Sequence, residues 1–149
     1  MTKILFIQYT ALALACLYGA NTNAACGGSE NLPSEQVHIA FEVNGAKISP
    51  SERERLRVWV TQANSKYAIQ NWITIIGSAA ESEHAAKALA MSRAVLVARE
   101  ALQDGLVNAP LQIKTEIYPV GKSEPASSDY REVTVQISPG CPNNCCDGQ

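Results

Sequence analysis

The sequence predicts an α+β fold, a two-layer α/β sandwich in which two helices lie on one face of a mixed four-stranded sheet. Three segments alternate between apolar and polar residues with the period of a β-strand, a fourth short segment is bulky on both faces, and two longer segments place apolar residues at helical spacing. Three of the strands bury only one face, and the two amphipathic helices are available to cover it. The expected order of elements is β-α-β-α-β-β.

The first strand is expected over 37–43 ("VHIAFEV"), where every second residue is apolar. A turn at Asn44 then leads into the first helix. Ser49 and Glu52 have the spacing of a capping box, and Pro50 takes the first helical position, where its missing N–H costs nothing. The apolar stripe of this helix consists of Leu56, Trp59, Val60, Ala63 and Tyr67.

The second strand, "NWITIIG", carries bulky side chains on both faces, so we expect it to lie inside the sheet and to end at Gly77. The second helix should begin after it, between Ser78 and Gln103, and stop at 104–105. Ser78 and Glu81 again have capping-box spacing. The stripe expected to face the sheet consists of Ala88, Met91, Val95, Ala98 and Leu102, widened by Leu89 and Leu96.

The last two strands are expected over 111–118 and 131–138, which alternate throughout. In the final strand, Val133, Val135 and Ile137 should face inward. The domain organisation is then a segment at 1–24, a polar linker at 25–36, the folded domain at 37–138 and a cysteine-rich tail at 139–149.

The segment 1–24 is typical of a secretory signal peptide. It has one early cation at Lys3, then an apolar run, and small residues at 23–25, with cleavage expected after Ala24 or Ala25. Export to the periplasm, or to the periplasmic face of the outer membrane, follows if the host is a bacterium. The alternative is a lipid anchor at Cys16 or Cys26, since "ALAC" loosely resembles a lipoprotein signal; membrane contact is expected only through such an anchor.

Removal of the signal leaves four cysteines, an even number that favours two disulfides in an exported chain: Cys26, Cys141, Cys145 and Cys146. Because Cys145 and Cys146 are adjacent, we do not expect them to pair with each other. One attractive pattern links Cys26 to the tail and closes a small loop within "CPNNCC". Four thiolates on zinc would need the paired CxxC spacing that this sequence lacks, so no metal is expected.

Composition and motifs argue against several functions. Of the 149 residues, 46% are apolar and 17% charged, which is typical of a single globular domain. The formal net charge of −2 provides no basic stripe, so no nucleic-acid partner is expected. The sequence lacks a glycine-rich phosphate loop and a G-x-S-x-G motif, and His84 has no second histidine at zinc-site spacing. We therefore expect a protein that is not an enzyme, with no catalytic residue and no cofactor.

Three segments, taken in order, resemble the peptidoglycan-associating OmpA-like domain of bacterial envelopes. "ITIIGSA" stands where that family has an apolar strand ending in Gly-His-Thr-Asp. "LAMSRAVLVAREALQDGL" follows the family's Leu-Ser-x-x-Arg-Ala-x-x-Val pattern, and "DYREVTVQIS" looks like its final Arg-Arg-Val strand. The resemblance extends over 37–138 and implies the same fold.

The resemblance also implies a ligand pocket between the second strand and the following helix. In the family, an aspartate and an arginine there hold the diaminopimelate of the peptidoglycan stem peptide. The arginine falls on Arg93, but the aspartate position is Ala80, so the pocket is degenerate. Glu81 or Glu83 would have to supply the missing carboxylate.

Ser78 takes the place of the family's histidine, and Arg131 keeps one of the two arginines of the last motif. The expected ligand-binding residues are therefore Arg93, Ser78, Arg131 and Glu81. Two functions follow from the resemblance. One is non-covalent association with peptidoglycan, and the other is a periplasmic interaction module of a secretion, conjugation or envelope assembly that does not bind peptidoglycan.

Overall fold

A computed structural model of the chain describes residues 31–119 and 128–146. The expected signal peptide, Cys16 and Cys26 lie outside these residues. Across the described part of the chain, none of the helices combines the length and the apolar character that a membrane crossing requires.

The described residues form two helices over one face of a four-stranded sheet, which confirms the predicted α+β class and the order of elements. The elements are β1 (Glu35–Ala40), α1 (Pro50–Lys66), β2 (Gln70–Ala80), α2 (Ala86–Gln103), β3 (Leu111–Tyr118) and β4 (Glu132–Pro139). Short 3₁₀ turns at Ser128–Arg131 and Pro142–Asn144 flank β4. The strand order is β1-β4-β2-β3, with β2 and β3 parallel and the other pairs antiparallel.

Helix α1 begins where its sequence predicts. The Ser49 hydroxyl accepts a hydrogen bond from the Glu52 N–H at 3.2 Å, and Pro50 is the first helical residue. Strand β1 begins earlier than predicted and stops at Ala40, so Val43 is 58% exposed instead of facing the core. The strand stops because the chain turns, with Gly45 N–H bonded to the Glu42 carbonyl at 3.0 Å and Asn44 at φ 54°.

The boundary between β2 and α2 was predicted wrongly. Strand β2 continues past Gly77 to Ala80, because its last residues still pair with β3 as far as Tyr118. Ser78 therefore belongs to the strand, and neither Ser78 nor Glu81 caps α2. The helix begins at Ala86, after a turn that places Ala85 in the left-handed region at φ 49° without a side-chain cap.

The face of α2 that packs on the sheet contains Ala98 as predicted, and Leu96 packs partly against the core, but the rest of that face differs from the prediction. Met91, Val95 and Leu102 are 44–50% exposed, whereas the residues facing the sheet are mostly small: Ala90, Ala94, Val97, Ala98 and Ala101. The reason is the close approach of helix and strand at Gly77, where an added Cβ would lie 2.1 Å from the Ala90 carbonyl oxygen. Helix residues of larger volume do not fit at that distance, so the large apolar side chains point outward.

The core lies between the sheet and the two helices. Its fully buried strand residues include Ile39, Ile73, Ile75 and the predicted inward set of β4, Val133, Val135 and Ile137. Leu56 and Val60, which belong to the predicted apolar stripe of α1, are buried on the helix side of the core. The residues just before β1 and just after β4 are also paired, since Asn31 forms a bridge with Gly140.

The small loop predicted within "CPNNCC" is confirmed, because Cys141 and Cys146 form a disulfide. Cys145 is disulfide-bonded as well. The link from Cys26 to the tail stays a prediction.

Candidate functional site

Arg93 lies at the end of the sheet where β2, the turn at 81–85 and the loop at 41–48 meet α2. Its side chain is fully buried, at 0% exposure. The aromatic ring of Phe41 lies beneath the guanidinium, 5.5 Å from its carbon to the ring centroid. A charged group in this position needs a partner for every N–H, because burial removes the water that would otherwise solvate it.

Glu83 provides the opposite charge in a two-pronged ion pair. Nη2 of Arg93 lies 2.7 Å from Oε1 of Glu83, and Nη1 lies 3.0 Å from Oε2. The side chain of Glu83 is only 3% exposed. Parallel N–H···O bonds of this kind fix the orientation of both planar groups, which a single contact would not do.

Backbone carbonyls accept the remaining hydrogen bonds of Arg93. Nε donates to the Gly45 oxygen at 2.8 Å, Nη1 to the Ser78 oxygen at 2.9 Å and Nη2 to the Glu42 oxygen at 3.0 Å. Together with the two bonds to Glu83, these contacts satisfy the five N–H donors of a guanidinium. The arginine is thus saturated by groups of its own chain.

The carboxylate of Glu83 is equally well satisfied. In addition to Arg93, Oε1 accepts the Asn44 N–H at 2.8 Å and Oε2 accepts the Ala80 N–H at 3.0 Å. Burial by itself raises the pKa of Glu83, but the hydrogen bonds from Arg93, Asn44 and Ala80 outweigh it, so the pKa lies below its ordinary value. The site therefore holds an ionised acid and an ionised base at neutral pH.

The other expected site residues take different positions. Ser78 contributes its carbonyl oxygen to Arg93 at 2.9 Å, and Ser78 itself is buried in the sheet at 3% exposure. Arg131 lies at the same end of the sheet, where its carbonyl accepts the Phe41 N–H at 2.8 Å. Glu81 is exposed, and its N–H donates to the Tyr118 carbonyl at 2.9 Å.

A carboxylate thus reaches Arg93 although the family's aspartate position is Ala80. It comes from Glu83, three residues further on, and the buried N–H of Ala80 helps to hold it. Of the two glutamates considered from the sequence, Glu83 contacts the arginine and Glu81 lies outside the contact.

Asn44 is the site residue that sequence reasoning missed. Its N–H bonds to Glu83, and its side-chain oxygen accepts the His84 N–H at 2.8 Å, so it ties the 41–48 loop to the turn at 81–85. The signal was the Asn-Gly dipeptide, which favours a turn with positive φ. Such a turn also points the Glu42 and Gly45 carbonyls towards one place, where Arg93 meets them.

The site has no sign of metal chemistry: across residues 31–119 and 128–146, no three His, Cys, Asp or Glu side chains are grouped so that they could hold a metal ion. The arrangement is an ion pair inside a cage of carbonyls. Chemically, it holds two segments of chain against α2.

Solved structures with the same fold come from bacterial envelope proteins. The OmpA-like domain of FopA1 from Francisella tularensis superimposes with a TM-score of 0.54 and 17% identity, over 72% of this chain and 73% of that one. A periplasmic domain of Helicobacter pylori MotB gives 0.55 and 13%, over 71% and 81%. The cell wall anchor of the T6SS from Pseudomonas aeruginosa gives 0.53 and 13%, over 71% and 82%.

No protein-family model matches the sequence, and no curated protein matches it either. The likeness therefore lies in the three-dimensional structure. The chain has the OmpA-like fold that the sequence motifs predict.

Proposed function

We propose that this chain is an exported cell-envelope protein whose OmpA-like domain works as a protein–protein interaction module, with the family's ligand pocket closed by its own Glu83. The observation that carries the proposal is the saturation of Arg93, which is 0% exposed and has a protein acceptor for each of its N–H groups. In the family's scheme this arginine receives the carboxylate of diaminopimelate. Here Glu83 already takes that place.

Admission of a ligand carboxylate would have a high free-energy cost. The incoming group would have to displace Glu83 from Arg93, and Glu83 would then lose the hydrogen bonds from Asn44 and Ala80 as well. Separating a buried ion pair costs about 3–5 kcal/mol when one charge is left without its partner. Weak, reversible recognition of a small zwitterion does not supply that free energy on top of its own binding terms.

The envelope location in this proposal is supported by the signal-like segment at 1–24 and by the fold shared with envelope proteins. The disulfide between Cys141 and Cys146 fits an oxidising compartment such as the periplasm. The proposal includes no catalysis, no cofactor and no nucleic-acid partner, and a lipid anchor remains the alternative to simple secretion.

A sacculus co-sedimentation assay tests the proposal. The protein, purified after export with its disulfides intact, is mixed with peptidoglycan sacculi, and the T6SS cell wall anchor serves as the positive control. We expect the wild type to stay in the supernatant while the control pellets. Saturable pelleting of the wild type that free diaminopimelate competes away would overturn the proposal.

A second experiment is affinity purification, in which the protein is used to capture its partners from an envelope extract. We expect a protein partner to co-purify in a fixed stoichiometry. Recovery of cell wall material without such a protein would count against an interaction module.

Peptidoglycan association is the second candidate function, and one observation favours it. The site keeps both the arginine and a carboxylate, although the family's aspartate position is Ala80. If the Glu83 pair opens to admit a stem peptide, wild-type protein will pellet with sacculi, and Glu83→Gln will change the affinity. Glu81→Gln is the matched control, because Glu81 is exposed and makes no contact with the arginine.

A further inference from the structure

Strand β3 is one of the two edges of the sheet, and within the described residues its outer side has no partner strand. The opposite edge, β1, is different, because the side chain of Glu52 accepts the Ala40 N–H at 2.9 Å and covers that end of the strand. An uncovered edge strand offers a row of free N–H and C=O groups for pairing with another strand.

The hydrogen bonds of β3 show which of its groups point outward. The carbonyls of Pro110 and Tyr118 accept N–H groups from β2 and its extension at 2.9 Å, so even-numbered residues direct their backbone groups towards β2. Odd-numbered residues therefore direct theirs to the free edge: Leu111, Ile113, Thr115 and Ile117.

An apolar surface of α2 lies beside this edge. Met91, Val95 and Leu102 are 44%, 50% and 45% exposed. A groove of about 460 Å³ separates α2 from β3 and is lined by Val95, Ala98, Arg99, Leu102, Gln103 and Ile113. Exposed apolar surface beside a free strand edge is typical of an interaction site.

The charges of β3 identify the partner. On the face of the sheet away from α2, the strand exposes Lys114 and Glu116, one residue on each side of Thr115. An antiparallel copy of β3 centred on Thr115 places Lys114 of each chain directly opposite Glu116 of the other. Registers centred on Lys114 or on Glu116 place like charges opposite each other, which is unfavourable.

We propose that β3 pairs with β3 of a second copy of this chain, antiparallel and about a two-fold axis through Thr115. In this register Thr115 exchanges both backbone hydrogen bonds with its counterpart, and Ile113 does the same with Ile117 of the other chain. The sheets of the two copies become one continuous sheet. The proposal does not depend on the state of the Arg93 pocket.

The same axis brings the apolar surfaces of the two α2 helices together. A two-fold axis perpendicular to the sheet keeps both helices on one face and makes them antiparallel. Adjacent strands lie about 4.8 Å apart and packed helices about 8–10 Å apart, distances that suit helices which each lie over β2 and β3. Val95 and Met91, which point away from their own core, would then be covered by the partner helix.

Sedimentation velocity over a wide concentration range tests the proposal on the purified protein. We expect reversible dimers in the wild type. Lys114→Glu and Glu116→Lys should each weaken dimerisation by about tenfold, because each creates two like-charge pairs across the axis. Lys47→Glu is the matched control for Lys114→Glu, since it makes the same change of net charge at an exposed site outside β3.

A mixture of the two variants gives the decisive result. In a mixed dimer, the Lys114→Glu chain places glutamates opposite the lysines of the Glu116→Lys chain, so the mixture should dimerise better than either variant alone. The double variant Lys114→Glu/Glu116→Lys should recover wild-type dimerisation. Failure of the mixture to associate would overturn the register.

Thr115→Pro tests the backbone pairing. It removes an N–H that the isolated domain directs to solvent, and proline is tolerated at such positions of edge strands. We expect a folded monomer, with a wild-type circular dichroism spectrum. A wild-type protein that stays monomeric at all concentrations, or a Thr115→Pro protein that dimerises as the wild type does, would contradict the proposal.

Discussion

Two arginine–glutamate pairs in this molecule have nearly the same chemistry and opposite surroundings. Arg93 and Glu83 form a forked pair with side chains 0% and 3% exposed. Arg57 and Glu54 also form a forked pair, with Nε to Oε2 at 2.8 Å, but their side chains are 55% and 58% exposed. The first joins the 81–85 turn to α2, and the further hydrogen bonds of both residues reach the distant 41–48 loop. The second connects neighbouring turns of α1.

The comparison shows that burial, more than the geometry of the fork, decides what an ion pair does. In the exposed pair, the hydrogen bond from Arg57 lowers the pKa of Glu54, but water and salt compete for both charges. In the buried pair, neither charge has access to solvent, so each depends on the other. Only the buried pair can hold the 41–48 loop and the 81–85 turn in place.

The largest expected effect is that of Arg93→Met, which removes the buried cation but keeps much of its volume. We expect the free energy of unfolding to fall by about 3–5 kcal/mol, because Glu83 is left as a buried charge without its partner. Urea denaturation measures the loss. The double variant Arg93→Met/Glu83→Leu should recover part of it, whereas no recovery would show that the carbonyl contacts dominate.

A smaller effect is expected for Glu83→Gln, which keeps a hydrogen-bond acceptor but removes the negative charge. The free energy of unfolding at neutral pH should fall by about 1–3 kcal/mol, since a buried guanidinium then faces only neutral acceptors. The same denaturation assay measures it, with the exposed Glu81→Gln as the control. Equal stability of the two variants would contradict the assigned role of Glu83.

The pH dependence of that difference follows from the pKa of Glu83. Its folded-state pKa lies below the ordinary value of 4.5. The ionised carboxylate therefore contributes its full stability above about pH 4.5, and the contribution is lost as the pH falls through the folded-state pKa. The stability gap between the wild type and Glu83→Gln should narrow on acidification. A gap that is constant with pH would show that the charge of Glu83 is unimportant.

The smallest effect belongs to the exposed pair. Arg57→Gln should leave the urea midpoint unchanged within error at physiological salt, because an exposed pair is screened and gains little from its fork. A clear decrease in the urea midpoint would contradict the difference that we expect between the exposed and the buried pair.

Sequence patterns predicted the elements whose causes are local. The Ser49–Glu52 cap and the alternation of β3 and β4 depend on neighbouring residues, and the structure contains them. The inner face of α2 was predicted wrongly, because its orientation is set by contact with Gly77 on another element. The spacing of apolar residues favoured large side chains on the inner face of the helix, whereas the close contact with Gly77 leaves room only for small ones.

The site was only partly predictable, because its contacts also depend on residues of other elements. The family motif pointed to Arg93, but which glutamate meets it depends on where β2 ends. Because the strand runs to Ala80 and α2 starts at Ala86, Glu83 falls inside the turn and faces the arginine. The carbonyls of Glu42 and Gly45 come from a loop far away in the sequence. No local sequence pattern predicts that they accept hydrogen bonds from Arg93.

The central claim is that Arg93 is saturated by its own chain and does not receive a ligand carboxylate. The most direct test is ¹⁵N NMR of the arginine side-chain N–H groups during a titration with diaminopimelate, with Glu83→Gln used to assign the Arg93 signals. We expect slowly exchanging Arg93 signals that do not move as the ligand is added. Saturable shifts of those signals, or rapid exchange with water in the free protein, would contradict it.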